Sequence, residues 1–519
     1  MKKILTTAIL CAGLVGFTAC DSFLDEDPKS SLTLDTYYKT SADIIGNVNY
    51  LYRDGAPDKM GNMTGAYRGS SLSVMNMVTG YFVNEYEGQE VDCSYARQLT
   101  RQDFTQSCCN YLTNDTWKSC YKSINVAIKY VDGVEMDNQA QYKAEARFFR
   151  ALNYFYLVKM FGDVPMVTEP TEDATLVEYP TRTAASEVFN TVIIPDLQFA
   201  VENLPNATFA GNSHRVTKYA ADMLLADVYM RLGEYANAVT PLKDVINSGK
   251  FALATNDNLA EGSAFNKLRT TDDLPEVIYA REYDAAISPN GNIPVHAFNL
   301  ISPTFFANSS TGNKYSLWVN VYGVSERYLN VYGEKDLRAQ MNQFFHRTYT
   351  HPVDGTTLDM KMLCNWYWYD ETAILETGKG TKDWNFYRYA ETLLSAAEAI
   401  AQSSGVNAEA AGYLAQVKAR ANMEGKDVST IASELQRLGK QAFIEECWKE
   451  RLREFPLEMK IWDDCVRTGK FPQISATNKG EVQFVDLIGA KNGSGATFKA
   501  TDLYWPIPVN EIQRNPNLT

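Results

Sequence analysis

Ala226, Tyr229, Gly233, Tyr235 and Ala238 are spaced as a tight antiparallel helix pair requires. The two alanines let backbones approach, Tyr229 fills the seam, and Gly233 with Tyr235 marks the turn, which is the tetratricopeptide-like pattern. It predicts a helical hairpin over residues 219–246. A hairpin of this kind cannot bury its apolar face alone, so the chain must supply neighbours of the same type.

It does so twice more. Over 142–161, Phe148, Leu152, Phe155 and Tyr156 recur at i, i+4, i+7 and i+8, an amphipathic helix ended by Gly162 and Pro165. Before it, residues 115–131 carry Trp117, Tyr121, Ile124 and Ile128 on one stripe and stop at Asp132-Gly133, so the two helices form an antiparallel pair. A further pair is predicted over 387–403 and 408–421, with Gly405-Val406-Asn407 between. Long insertions part these units, unlike a bare solenoid, whose units follow at about 34 residues. The insertions 53–104 and 247–383 are rich in Gly, Asn, Ser and Tyr, and 315–322 alternates in the strand manner. The expected fold is mainly α: a tetratricopeptide-like helical-hairpin scaffold with long irregular loop-rich insertions and a few short strands. Binding function usually sits on such loops.

The first residues read as a targeting signal. Lys2 and Lys3 precede an apolar run over 4–17, and Phe17-Thr18-Ala19 leads into Cys20. The run is shorter than the roughly 20 residues that a spanning helix needs. The expectation is a lipoprotein signal over residues 1–19, lipidation of Cys20, and one domain over 20–519, since no linker or charge block divides the rest. The acids Asp21, Asp25, Glu26 and Asp27 follow the cysteine closely.

A formal net charge of −14 repels phosphate backbones and argues against nucleic acid as a partner. Beyond Cys11 and Cys20, seven cysteines remain: Cys93, Cys108, Cys109, Cys120, Cys364, Cys447 and Cys465. The count is odd, so at least one thiol has no partner within the chain. The first four lack the paired Cys-x-x-Cys spacing of structural zinc, and both a local disulfide and plain burial stay open for them.

Nothing points to catalysis, a cofactor or a metal. The four histidines, His214, His296, His346 and His351, lack the i, i+4 pairing with glutamate of a zinc hydrolase, and His346 and His351 are expected on a surface loop. No Gly-x-Ser-x-Gly elbow is present. Gly378-Lys379-Gly380-Thr381 lacks the first glycine of a phosphate loop and reads as a turn. Glu445-Glu446 and Asp463-Asp464 point to different helix faces, so they read as solvated groups or structural ion pairs and not as a facing acid pair.

Four stretches taken together resemble the SusD/RagB nutrient-binding lipoproteins. They are the lipidated start with Phe23-Leu24-Asp25 through Pro28; 144–151 leading to Phe161-Gly162-Asp163-Val164-Pro165; Glu450-Arg451 through Phe455; and Trp505-Pro506-Ile507-Pro508 followed by Glu511-Ile512 and 515–518. Pro456 and Ile461 depart from the family pattern and put any charge network there in doubt. The resemblance implies a cell-surface protein on the outer membrane that captures a glycan and passes it to a SusC-like TonB-dependent transporter, contacting that transporter through its helical repeats. Peptide binding of the RagB kind and a ligand-free helical scaffold are the alternatives. By region only, the resemblance places the ligand on Tyr81, Asn84 and Tyr86 from the first insertion and on Trp318, Asn320, Tyr322 and Trp366 from the second.

Overall fold

A computed structural model describes residues 34–54, 75–83, 101–102, 123–170, 179–287, 323–377, 380–507 and 509–519. Helices α1 (Leu34–Tyr37) and α2 (Ser41–Asp54) precede strand β1 (Phe82–Val83). Helices α3 (Ser123–Val131), α4 (Gln139–Phe161), α5 (Ile194–Asn203), α6 (Lys218–Leu232), α7 (Tyr235–Asn247) and α8 (Ala264–Thr270) follow. Then come β2 (Val277–Arg281), β3 (Gly323–Val324), β4 (Phe345–Thr350), β5 (Thr357–Asn365) and β6 (Trp384–Arg388). The chain closes with α9 (Tyr389–Ser404), α10 (Ala408–Ala421), α11 (Val428–Gln436), α12 (Lys440–Glu454), α13 (Ile461–Thr468), β7 (Lys470–Ile474), β8 (Val482–Asp486) and α14 (Val509–Arg514). The strands pair antiparallel in three small sheets, ordered β1-β3-β5-β4, β2-β6 and β7-β8.

The predicted hairpin is α6–α7. Gly233 closes α6 at φ 72°, its N–H donating to the Met230 carbonyl at 3.2 Å, and Ala226 and Ala238 are both buried where the helices meet. Pairs α3–α4 and α9–α10 also form, and α3 is described from Ser123, so residues 115–122 of the predicted helix lie outside the described residues. Tyr387 and Arg388 belong to β6, which ends directly where α9 begins. One apolar cluster gathers side chains from Val48 to Leu518, through every helical pair.

Two motifs far apart in sequence dock on each other. Gly162 ends α4 at φ 70°, and a Cβ there would meet the Tyr504 ring at 3.4–3.5 Å. The Trp505 N–H donates to the Met160 carbonyl at 2.6 Å. Asn515 Nδ2 donates to the Pro180 carbonyl at 2.8 Å and Asn517 Nδ2 to that of Tyr179 at 2.5 Å, so the C-terminal stretch is tied to the chain just beyond α4.

The acidic neighbours on α12 and α13 are structural. Glu446 pairs with Lys418 and Arg453, Asp464 with Arg451 and Arg467 at 2.8 Å each, and Asp463 with Lys159 at 2.6 Å. The departure at Ile461 leaves the network intact, because Lys460 beside it pairs with Glu391. Deeper still, Arg388 meets Glu276 at 2.5 Å, Glu454 at 3.0 Å and Glu458 at 2.7 Å, all fully or nearly fully buried. Burial works to raise the Glu276 carboxyl, yet Arg420 and Arg388 hold it below the usual range. Such ionised groups survive inside a core only because each has a hydrogen-bonded counter-ion.

One expectation needs correcting here. His346 and His351 are fully buried, not on a surface loop: His346 lies in β4 and His351 directly after it. Cys447 and Cys465 are free thiols and, like Cys364, buried, while Cys93, Cys108, Cys109 and Cys120 lie outside the described residues.

Candidate functional site

Asn84, Tyr86, Trp318, Asn320 and Tyr322 lie outside the described residues, but the residues that join them to the fold are placed. Strand β1 pairs with β3 through Phe82↔Val324 and Val83↔Gly323. The chain therefore leaves β1 toward Asn84 and enters β3 from Tyr322 at one and the same end of this sheet.

A cleft of about 350 Å³ gives the two insertions a second common origin. Arg53, at the end of α2, and Ile287, beyond β2, both line it. Its wall is aromatic and held from behind. The Tyr52 hydroxyl donates to Glu145 Oε2 at 2.7 Å and accepts the Val216 N–H at 3.0 Å, and its ring packs edge-on against Phe149 at 4.9 Å. Phe209 meets Tyr279 edge-on at 5.8 Å. At the rim His214 bridges two carboxylates, Nδ1 lying 2.5 Å from Glu282 and Nε2 3.0 Å from Asp273. Both Ser213 and His214 have positive φ, 51° and 57°, a conformation that non-glycine residues rarely adopt. Burial pushes the Glu282 carboxyl up, against the pull of His214. Behind the rim, Asp383 Oδ1 accepts the Tyr283 N–H at 2.8 Å, and burial, helped by the neighbouring Asp272, pushes its pKa up to about 8. The cleft thus offers flat rings with charged and hydrogen-bonding groups around them, the composition of a site for a polar ligand with apolar faces.

Sequence reasoning did not find His214, Arg281 or Glu282 for this place. They come from separate segments, on either side of α6 and α7, and no spacing in the chain announces their convergence.

Tyr81 was expected on a ligand surface and is instead a core residue. It is 1% exposed, its ring stacks on Phe471 at 5.8 Å, and its hydroxyl donates to the Pro472 carbonyl at 2.7 Å while accepting the Ile474 N–H at 3.1 Å. Trp366 is half-buried. It stacks on Tyr369 at 4.6 Å, lies 4.8 Å from the Arg269 guanidinium, and donates its indole N–H to Asn266 Oδ1 at 3.0 Å. It packs on a small separate apolar cluster of Tyr349, Met360, Cys364, Tyr369, Ile374 and Leu375. Trp366–Trp368 forms a 3-10 turn, and Tyr367, Trp368 and Tyr369 are all buried.

Among the described residues no helix is long and apolar enough to cross a membrane. The family model described as "SusD family" matches residues 311–519, and that described as "Starch-binding associating with outer membrane" matches 22–230. "SusD-like protein P2" of Formosa agariphila is 25% identical, the alignment covering 100% of this chain and 99% of the relative. "Starch-binding protein SusD" of Bacteroides thetaiotaomicron is 23% identical, with 100% and 98% covered. A SusD superfamily protein from Parabacteroides distasonis superposes with TM-score 0.77 at 25% identity, covering 94% of this chain and 99% of that one. The surface glycan-binding protein A from Bacteroides thetaiotaomicron, in complex with laminarihexaose, superposes with TM-score 0.68 at 18% identity over 92% and 99%. With both ends of the chain matched by these models and its fold shared almost throughout with a SusD superfamily protein, the chain is SusD/RagB-like.

Proposed function

We propose that this protein is a lipid-anchored surface protein of the outer membrane that captures a glycan and hands it to a SusC-like TonB-dependent transporter without reacting with it. The observation that carries this reading is the pair of family matches, one in each half of the chain, the first of them to a family described by starch binding at the outer membrane. The laminarihexaose bound by a structural neighbour supports a glycan as the ligand class. Anchoring is assigned to Cys20, and contact with the transporter to the helical repeats.

The ligand platform is assigned to Asn84, Tyr86, Trp318, Asn320 and Tyr322, the residues whose segments meet the fold at β1–β3, with Trp366 at its margin. A tyrosine or tryptophan face covering roughly 100 Å² of sugar contributes about 2.5 kcal/mol at about 25 cal/mol/Å². Two such faces give about 5 kcal/mol before ordering costs, hence millimolar to high-micromolar affinity. Weak capture suits a protein that must release its ligand.

Calorimetry of the soluble protein against a panel of hexasaccharides tests this, with Trp318→Ala and Tyr86→Ala as variants. Both folded variants should lose affinity for whichever glycan binds the wild type. Normal binding by both would remove the platform, and a protein that bound peptides but no glycan would reverse the ligand class.

A further inference from the structure

We propose a second carbohydrate subsite, in the cleft of about 630 Å³ between α1–α2 and α3. It rests on the reading of the protein as a glycan binder, and it lies apart from the loop-rich cleft. Helix α2 carries the two on different faces: Asp43, Gly46, Asn47 and Tyr50 line this cleft, whereas Asn49, Tyr52 and Arg53 line the other. A third stripe, Ile44, Val48 and Leu51, is fully buried and holds the helix to the body.

Residues 43, 46, 47 and 50 stand at i, i+3, i+4 and i+7, so they form one face of α2. That face is built for neither core nor plain solvent. Tyr50 is 51% exposed, and Tyr37 across from it on α1 is 47% exposed, in a protein most of whose aromatic rings are buried. The Tyr37 ring is held edge-on by Tyr38 at 4.9 Å, and Tyr38 in turn lies against Tyr130 of α3 at 5.1 Å, so the platform is braced before any ligand arrives. Asp43 is fixed through one oxygen: Oδ2 accepts the Thr40 N–H at 2.9 Å and the Thr40 hydroxyl at 2.7 Å. Its other oxygen makes no hydrogen bond among the described residues. Asn47 Nδ2 is buried and has no hydrogen-bond partner among the described residues. At Gly46 an added Cβ would meet nothing within 4 Å, so the helix backbone is bare to the cleft at its centre.

These groups match a pyranose. Tyrosine faces accept the sugar's C–H surfaces, a carboxylate oxygen accepts from its hydroxyls, and an amide N–H₂ donates to them. Helical walls offer no strand edge on which an extended peptide could pair. Two sites on different faces of one helix let a single long glycan engage both, which raises its retention without tighter binding at either.

The test compares the soluble chain with Gly46→Leu, which fills the cleft from an open position and replaces glycine by a better helix former, and with Tyr50→Ala. Retardation is measured in native gels containing laminarin, starch, xylan or mannan, alongside calorimetry with laminarihexaose and maltohexaose. In the gel that retards the wild type, both variants should lose on the order of a hundredfold in apparent affinity, as expected when bivalent engagement becomes monovalent. Their melting temperatures should stay at or above the wild-type value for Gly46→Leu. Wild-type retardation of both variants, in a gel where Trp318→Ala is not retarded, would overturn the second subsite and leave the proposed function standing. A wild type retarded by no polysaccharide and binding neither hexaose would overturn both.

Discussion

Arg388 gives the sharpest test of how this fold is held together. Its guanidinium is shared by Glu276, Glu454 and Glu458, and the three carboxylates do not depend on it equally. Glu276 also pairs with Arg420 at 2.5 Å, and Glu454 with Arg420 and with Arg338 at 2.9 Å. Glu458 takes its three hydrogen bonds from Arg388 alone, at 2.7–3.1 Å, and it is 5% exposed. Arg388→Met keeps most of the volume and leaves one buried carboxylate unpaired, so the expected loss is that of one broken pair, about 3 to 5 kcal/mol. For a chain of this length that lowers the melting temperature by about 3 to 5 °C. Burial already raises the Glu458 carboxyl above its ordinary value, against the pull of Arg388, and removing Arg388 raises it further. A group whose folded pKa lies above its unfolded value costs nothing while protonated and destabilises as pH rises through the folded pKa. The deficit should therefore be small near about pH 5 and grow toward about pH 8. Differential scanning calorimetry at both values reads this out. An unchanged melting temperature, or a deficit equal at the two pH values, would refute the account of Arg388 as the hydrogen-bonded counter-ion of Glu458 among the described residues.

Three further outcomes follow from the same coordinates. Ala226→Trp, at a position 1% exposed where α6 packs on α7, should cost about 1 to 3 kcal/mol by overpacking, and a wild-type urea midpoint would count against that pairing. Asp383→Asn keeps the acceptor for the Tyr283 N–H but removes a carboxyl raised to about 8, chiefly by burial. Because the native carboxyl destabilises progressively as pH climbs from its unfolded value toward that pKa, the variant should gain on the wild type over this interval, and parallel stability profiles would show that Asp383 ionises as freely folded as unfolded. Cys20→Ala should shift the protein from the outer-membrane fraction to the soluble one, and continued fractionation with membrane after washing would remove lipidation as the anchor.

The helical scaffold was legible because its determinants are local. Ala226, Gly233 and Ala238 sit within one turn-helix unit, and the stripe Phe148, Leu152, Phe155 is set by the helical period alone, so a single sequence suffices to place α4, α6 and α7. Motifs carried by short runs, such as 161–165 and 505–508, could be recognised, although nothing in either run says that Tyr504 lies over Gly162. What the sequence could not decide was which aromatic residues are covered. Tyr81 lies in a stretch rich in exposed-residue types, yet contacts from residues about 390 positions away, Phe471 and Pro472, bury it. The expectation of exposure for His346 and His351 failed because His346 lies within β4, paired with Cys364 of β5, and His351 follows directly in the same hairpin, both fully buried. Likewise the pairs Arg388–Glu276 and Lys159–Asp463 join residues 112 and 304 apart, and the two clefts on α2 owe their walls to segments that tertiary packing alone brings alongside. Periodicity fixes which face of an element is apolar; only the packed chain fixes what lies opposite that face, and a binding surface is made of what nothing lies opposite.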